Sequence, residues 1–191
     1  MKVADYLKAG VDLFQKHPLE WVIAWVIVVV MSATLVLAGP ALAGLVFMAV
    51  KARRGEKPEV LDLFKGFDHF LNSLFASVIL LAICVCSAVL GFLPGIGWFL
   101  SSIFSILALP VASGLVLYAM PLVVDRGLGW KPALRASLAR ASKDLVGHLV
   151  FGLANTIVCL IPFIGLPIHI GAVLAAYADA SSELVGLASK G

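Results

Sequence analysis

Apolar residues run almost without interruption through three stretches of this chain, residues 21–50, 70–124 and 145–178, and none of these contains Asp, Glu, Lys or Arg. Charged positions collect between and outside them. Hydrocarbon excludes charge, whereas a water-soluble core has no need to segregate it along the chain, so the pattern predicts an integral membrane protein. A turn signal without charge divides each stretch: Gly39-Pro40, then Pro94-Gly95-Ile96-Gly97, then Pro162 to Pro167. The expected fold is all-α and polytopic. It has six transmembrane helices in three hairpins, with spans near 19–38, 41–53, 69–93, 98–124, 145–161 and 168–186.

Each hairpin is preceded by an amphipathic segment. In residues 2–16, Val3, Tyr6, Leu7, Gly10, Val11 and Phe14 recur at helical spacing, with Lys2, Asp5, Lys8, Asp12 and Lys16 on the other side. The second segment starts at Pro58, a favoured first helical residue, and places Val60, Phe64, Phe67 and Leu71 on one face. The third follows Trp130, with Leu134, Leu138, Ala141 and Leu145 on one side. Such helices are expected in the membrane interface, apolar face toward the acyl chains. Short echoes recur in the same order. Asp12-Leu13-Phe14 matches Asp62-Leu63-Phe64, Arg54-Gly55 matches Arg126-Gly127, and Leu93-Pro94-Gly95-Ile96-Gly97 matches Ile161-Pro162-Phe163-Ile164-Gly165. The chain therefore reads as one membrane domain, residues 1–191, made of three pseudo-repeats at about 1–54, 55–125 and 126–191.

Charge sets the orientation. All 14 Lys and Arg lie in the N-terminal segment, the 51–69 and 125–148 connections and the C-terminal tail. The three opposite turns carry none. Basic connections stay cytoplasmic, so both termini are expected inside. The first 20 residues are acidic as well as basic, unlike the short positive start of a signal peptide, so the first span is expected to be retained. With 62% hydrophobic and 13% charged residues and a mean hydropathy of +1.07, the chain departs from soluble domains, which are about 45–50% apolar and about 25% charged. One length is tight. Two crossings need about 40 apolar residues, yet the first and last uncharged stretches hold 30 and 34.

Candidate chemistry is sparse. No Asp, Glu, Lys or Arg sits in the middle of a span, which disfavours coupled transport, and no nucleotide-binding, metalloprotease or serine-hydrolase motif is present, so no enzyme and no cofactor is expected. Cys84, Cys86 and Cys159 read as small buried hydrophobes. His17, His69 and His148 each sit where an amphipathic segment enters a span and would form a metal or pH-sensing site only if they converged. Asn72, Ser73, Asn155 and Thr156 follow the same entry points and are candidates for a polar path; helix-to-helix hydrogen bonding is the plainer role. Gly171 and Ala175 make a small-residue face for close helix packing. Lys131, Arg135, Arg140 and Lys143 are the expected contacts for anionic lipid headgroups. Asp179 and Glu183, near Tyr177, are candidates for a cation site in an inner vestibule and more simply helix-end acids that are solvated or paired with nearby basic connections. Pro110 and Pro121 should kink the fourth span.

At Arg53-Arg54-Gly55-Glu56 with Asp62-Leu63-Phe64-Lys65-Gly66-Phe67, at Val124-Asp125-Arg126-Gly127 with Ala133-Leu134-Arg135-Ala136-Ser137, and from Pro167 to Tyr177, the chain resembles a broad family of uncharacterised bacterial polytopic membrane proteins. That family is similar to the membrane domain attached to some glycerophosphodiester phosphodiesterases. The resemblance implies about six helices with inward amphipathic connections. It implies no hydrolysis, because no catalytic domain accompanies it. The resulting expectation is a non-enzymatic scaffold or accessory subunit, contacting membrane lipids and either forming a homo-oligomer or joining a membrane-protein partner. A solute channel or facilitator and a membrane-shaping hairpin protein are the alternatives.

Overall fold

A computed structural model describes residues 1–189, which form ten α-helices and one 3-10 helix. In chain order, the first helical unit holds α1 (Val3–Lys16), α2 (Pro18–Ser32) and α3 (Ala38–Arg53). The second holds the 3-10 helix Val60–His69, α4 (Phe70–Ala76), α5 (Val78–Gly91), α6 (Gly97–Leu115) and α7 (Ala119–Arg126). The third holds α8 (Trp130–Lys143), α9 (Leu145–Cys159) and α10 (Gly165–Ala188). The fold is all-helical, with no strand among the described residues.

Two helical segments, Gly97–Arg126 and Gly165–Ala188, are long and apolar enough to cross a membrane. The pairs α1–α2, bent by 101°, and the 3-10 helix and α4 with α5, bent by 62°, raise the number to four if each counts as one span. The expected six are therefore not all met by length and composition. α2 and α9 have 15 residues each, about 22 Å at 1.5 Å per residue, against a hydrocarbon core of about 30 Å.

The units join in a ring. The 3-10 helix lies along α3, α8 packs on α7 and α10, and α1 returns from the start of the chain to lie across α10. The inner faces of the amphipathic segments are thus covered by protein rather than lipid: Leu13, Leu63, Ala133 and Ala136 are all buried. The middle segment corrects its sequence reading. It is a 3-10 helix, so its faces repeat every three residues instead of at 3.6. Leu63 and Gly66 turn inward, whereas Phe64 and Leu71, expected on the face toward the acyl chains, are exposed. The same spacing stacks Phe64, Phe67 and Phe70 into an outer ladder, with ring centroids 6.3 and 6.2 Å apart.

Glycine permits the closest crossings. A Cβ on Gly171 would sit 2.7 Å from the Gly10 Cα, and one on Gly152 would sit 2.9 Å from the Gly114 nitrogen. A Cβ on Gly44 would meet the Leu63 backbone, also at 2.7 Å. Backbones approach this closely only where side chains are absent. Local geometry recurs with the sequence echoes. Gly95 and Phe163 take left-handed backbone, at φ 80° and 67°, in matching turns, and Gly55 and Gly127 do so after α3 and α7. His17 and Asp144, each a single residue between two helices, have nearly the same backbone, φ −144° and −143° with ψ 57° and 62°. The counterpart of His17 in the third unit is therefore Asp144, not His148.

Candidate functional site

The second helices of the three units meet at one polar junction. Arg54 follows the last turn of α3, Asp125 lies in the last turn of α7 and Tyr177 lies on α10. The Arg54 guanidinium donates to Asp125 Oδ1 over 2.7 Å, and the Tyr177 hydroxyl donates to Asp125 Oδ2 over 2.9 Å. Arg126 folds back onto the same pair, its Nε 3.3 Å from Asp125 and 3.4 Å from the Tyr177 oxygen. Tyr177 is buried and Asp125 nearly so, while Arg54 reaches solvent. One carboxylate thus ties three helices by charge-assisted bonds.

A cavity of about 90 Å³ lies among the same elements, lined by Leu42 and Val46 of α3, Ser77, Ser113 and Pro121, and His169 of α10. Its hydroxyls are already used. Ser77 donates to the Ser73 and Leu74 carbonyls at 3.0 and 2.9 Å, and Ser113 donates to Pro110 O at 3.1 Å. The His169 Nδ1 is buried without a partner among the described residues. The remaining walls are aliphatic or Met and Pro. Aliphatic walls with spent hydroxyls do not make a continuous wet path.

A break in the fourth predicted span adjoins this cavity. Pro121 has no N–H to give the Leu117 carbonyl, so the helix is interrupted between Leu115 and Ala119. Ser137 of α8 repairs the gap. Its hydroxyl accepts from the Tyr118 N–H at 3.1 Å and donates to Leu115 O at 2.9 Å. The expected kink is therefore a break held by a neighbouring helix.

The polar-path candidates do not line one channel. The Asn72 carbonyl oxygen accepts from the Trp130 N–H at 3.3 Å, at the start of α8. Ser73 and Thr156 bond their own helices, to Phe70 O at 3.0 Å and Gly152 O at 2.8 Å. Asn155 is fully buried, and neither amide atom has a partner among the described residues. The three histidines do not converge either, since no group of three or more His, Cys, Asp or Glu among the described residues could hold a metal ion. His148 is buried with its Nδ1 2.7 Å from Asp144 O, and its ring lies edge-on to Tyr118. His17 and His69 serve at helix joints.

Of the proposed headgroup contacts, Arg140 and Lys143 converge on Glu183 of α10, at 2.9 and 2.6 Å. Lys131 lies over its neighbour Trp130, 5.4 Å from the ring centroid, and Arg135 also has an interaction partner. Asp179 accepts from Tyr6 of α1 at 2.9 Å. Both acids near the end of α10 therefore hold neighbouring helices. Gly171 and Ala175 face α1 within the chain. The three cysteines, expected to be buried, are exposed on α5 and α9.

Reading the residues in order missed the Arg54–Asp125–Tyr177 junction, because its members are separated by 71 and 52 positions. The only hint was Asp125 and Arg126 standing beside an uncharged stretch. No family model, no curated protein and no solved structure matches this chain.

Proposed function

We propose that this chain is a non-enzymatic protein of the bacterial inner membrane that serves as a scaffold or accessory subunit, in a homo-oligomer or beside a membrane-protein partner. In this reading α2 with α3, α5 with α6–α7, and α9 with α10 are three hairpins making six membrane-embedded segments, and both termini are cytoplasmic. The one-sided distribution of Lys and Arg supports that orientation.

The observation that carries the reading is the α5–α6 hairpin. No residue of α5 is buried, and Trp98, Ile106 and Leu107 of α6 are 71%, 67% and 65% exposed. Yet the hairpin is bound to itself: the Ser87 hydroxyl lies 2.8 Å from that of Ser101 and 2.5 Å from that of Ser105. Hydroxyls shared between two apolar helices hold them together in lipid, at about 0.6 kcal/mol per bond. A pre-formed hairpin with a bare apolar face is suited to contact another membrane helix.

The rival readings have less support. A channel needs a wet path, and the central cavity is walled mainly by Leu, Val and Ile. Membrane wedging needs apolar faces free for lipid, and much of those of α1 and α8 is spent on protein, where Leu13, Ala133 and Ala141 are buried, although Leu138 stays exposed.

Cys84 and Cys86 on α5 provide the test. Mild oxidation in native membranes should give a discrete disulfide-linked species, lost in the Cys84→Ala/Cys86→Ala double variant. Native mass spectrometry of gently extracted protein should show a matching homo-oligomer or a stoichiometric second chain. A monomer in both measurements would overturn the proposal.

A further inference from the structure

The charges near the end of α3 divide into used and unused. Lys51 is 2.9 Å from Asp62, and Arg54 is 2.7 Å from Asp125. Arg53, between them, makes no hydrogen bond or ion pair among the described residues, although it forms a wall of two adjoining clefts. One cleft, of about 250 Å³, lies between α1, α3 and α10 and is lined by Ala9, Asp12, Leu13, Lys16, Gly171 and Ala175 with Arg53. The other, of about 230 Å³, has Val50, Leu174, Tyr177 and Ala178 beside Arg53, Arg54 and Asp125.

Asp12, Lys16 and Arg53 therefore share one cleft and none pairs with another. The nearest other acids are engaged: Asp125 by Arg54 and Tyr177, and Asp179, which also faces Arg53, by Tyr6. Opposite charges sharing a cleft usually pair when their side chains can reach each other. Here Gly171 and Ala175 form a low floor between the walls, and no long side chain fills the space. Two cations and Asp12 over a small-residue floor, with Asp179 facing Arg53 from beside Tyr6, match a phosphate group linked to an amine. A guanidinium and an ammonium bind the phosphate oxygens, and a carboxylate accepts from the amine.

We infer that this cleft is a binding site for the zwitterionic phosphoethanolamine headgroup of a membrane phospholipid, with its phosphate on Arg53 and Lys16 and its amine on Asp12. The site rests on the membrane reading above but on none of the partner contacts of α5. Retained lipid would order α1 against α10 and so stabilise the closure of the ring.

The test uses full-length protein in nanodiscs and native mass spectrometry. Phosphatidylethanolamine should remain bound to the wild type, and Arg53→Gln should weaken retention about tenfold, the loss of one charge-assisted hydrogen bond. Asp12→Asn should remove the preference for phosphatidylethanolamine over phosphatidylglycerol. Lys8→Gln, on the same helix but outside the cleft, should change nothing. Circular dichroism checks that each variant folds. Equal retention by Arg53→Gln, or by Asp12→Asn with the preference intact, overturns the assignment. Equal protection of Arg53 from dicarbonyl labelling by inorganic phosphate would assign the site to a soluble anion and overturn its lipid character. Membrane fractionation tests the underlying membrane reading separately.

Discussion

The Tyr177 hydroxyl donates to the Asp125 carboxylate over 2.9 Å, joining the middle of α10 to the last turn of α7. The same carboxylate holds Arg54, so one acid carries the connection between all three units. Tyr177→Phe removes this bond and the longer one accepted from Arg126, and should lower stability by about 1–2 kcal/mol. Asp125→Ala should be worse, because it strands the buried hydroxyl as well as a cation. Arg54 is 62% exposed, so water can replace its partner, and the larger share of the loss should come through Tyr177. Thermal unfolding in detergent checks the order, and an Asp125→Ala protein as stable as Tyr177→Phe would refute it.

The α1–α10 crossing gives a prediction in which two glycines of one helix respond with opposite sign. A methyl on Gly171 would lie 2.7 Å from the Gly10 Cα, and that backbone cannot move aside alone. Gly171→Ala should destabilise by about 1–3 kcal/mol, as overpacking does. On the same helix, a Cβ on Gly186 would meet nothing within 4 Å. Gly186→Ala should be neutral or stabilising by up to about 1 kcal/mol. Proteolysis at Lys8 and Lys16 reports the detachment of α1. Equal rates in the two variants would count against the crossing.

The legible part of this fold was the part written in local period and charge. The extent of α1, the second and third uncharged turns and the amphipathic character of three segments follow from neighbouring residues, whereas the first turn falls at residues 33–37, because Gly39 and Pro40 sit in the first turn of α3, where a proline lacks no needed N–H. The middle segment was read at α-helical spacing because i, i+3 and i, i+4 stripes overlap over ten residues; the 3-10 hydrogen bonds decide that Leu63 points in, while Phe64 stays out on the face the pattern turned toward lipid. The destination of each amphipathic face was not legible. An apolar stripe looks the same whether lipid or another helix covers it, and Gly10 against Gly171 is a relationship across 161 positions. Which acid holds the cations of α8 was not fixed by local pattern for the same reason, since Glu183 is 40 residues beyond Lys143.

Ser137 should matter more than an ordinary serine. It alone receives the buried Tyr118 N–H at the break before Pro121. Ser137→Ala would leave that N–H without a partner, at a cost of about 1–3 kcal/mol. Hydrogen exchange at the Tyr118 amide should accelerate while amides in the middle of α3 hold. Unchanged protection at Tyr118 would mean that the hydroxyl does not repair the break.

Asp144 gives a pH dependence with a defined sign. The Met1 ammonium donates to its carboxylate at 2.9 Å, and the Gly147 N–H donates at 3.1 Å. In that order these bonds hold its carboxyl below the ordinary value of 3.8. A depressed folded-state value means stabilisation that is fully present above the unfolded value and is lost as pH falls through the folded one. Melting temperature should therefore decline below about pH 4 partly through this group. In Asp144→Asn the melting temperature should be lower at neutral pH and the acid decline shallower. An acid decline as steep as that of the wild type would remove Asp144 from the explanation.

The proposed topology makes Phe92 and Phe163 equivalent in side and unequal in difficulty. Both lie in uncharged turns, 87% and 48% exposed. Phe92 ends a hairpin whose second arm, α6, has 19 residues, whereas Phe163 follows α9, which has only 15. The shortfall is offset when the bilayer thins locally, at fractions of a kcal/mol per Å, and when the 24-residue α10 carries the return. With Cys84, Cys86 and Cys159 replaced by Ala, single cysteines at Phe92 and Phe163 should react with an impermeant maleimide added to intact cells. A cysteine at Lys57 should react only after lysis. Labelling of Lys57 in intact cells would invert the orientation. Protection of Phe163 both before and after lysis would leave the third hairpin inside the bilayer, reducing the crossing spans to those that length alone permits.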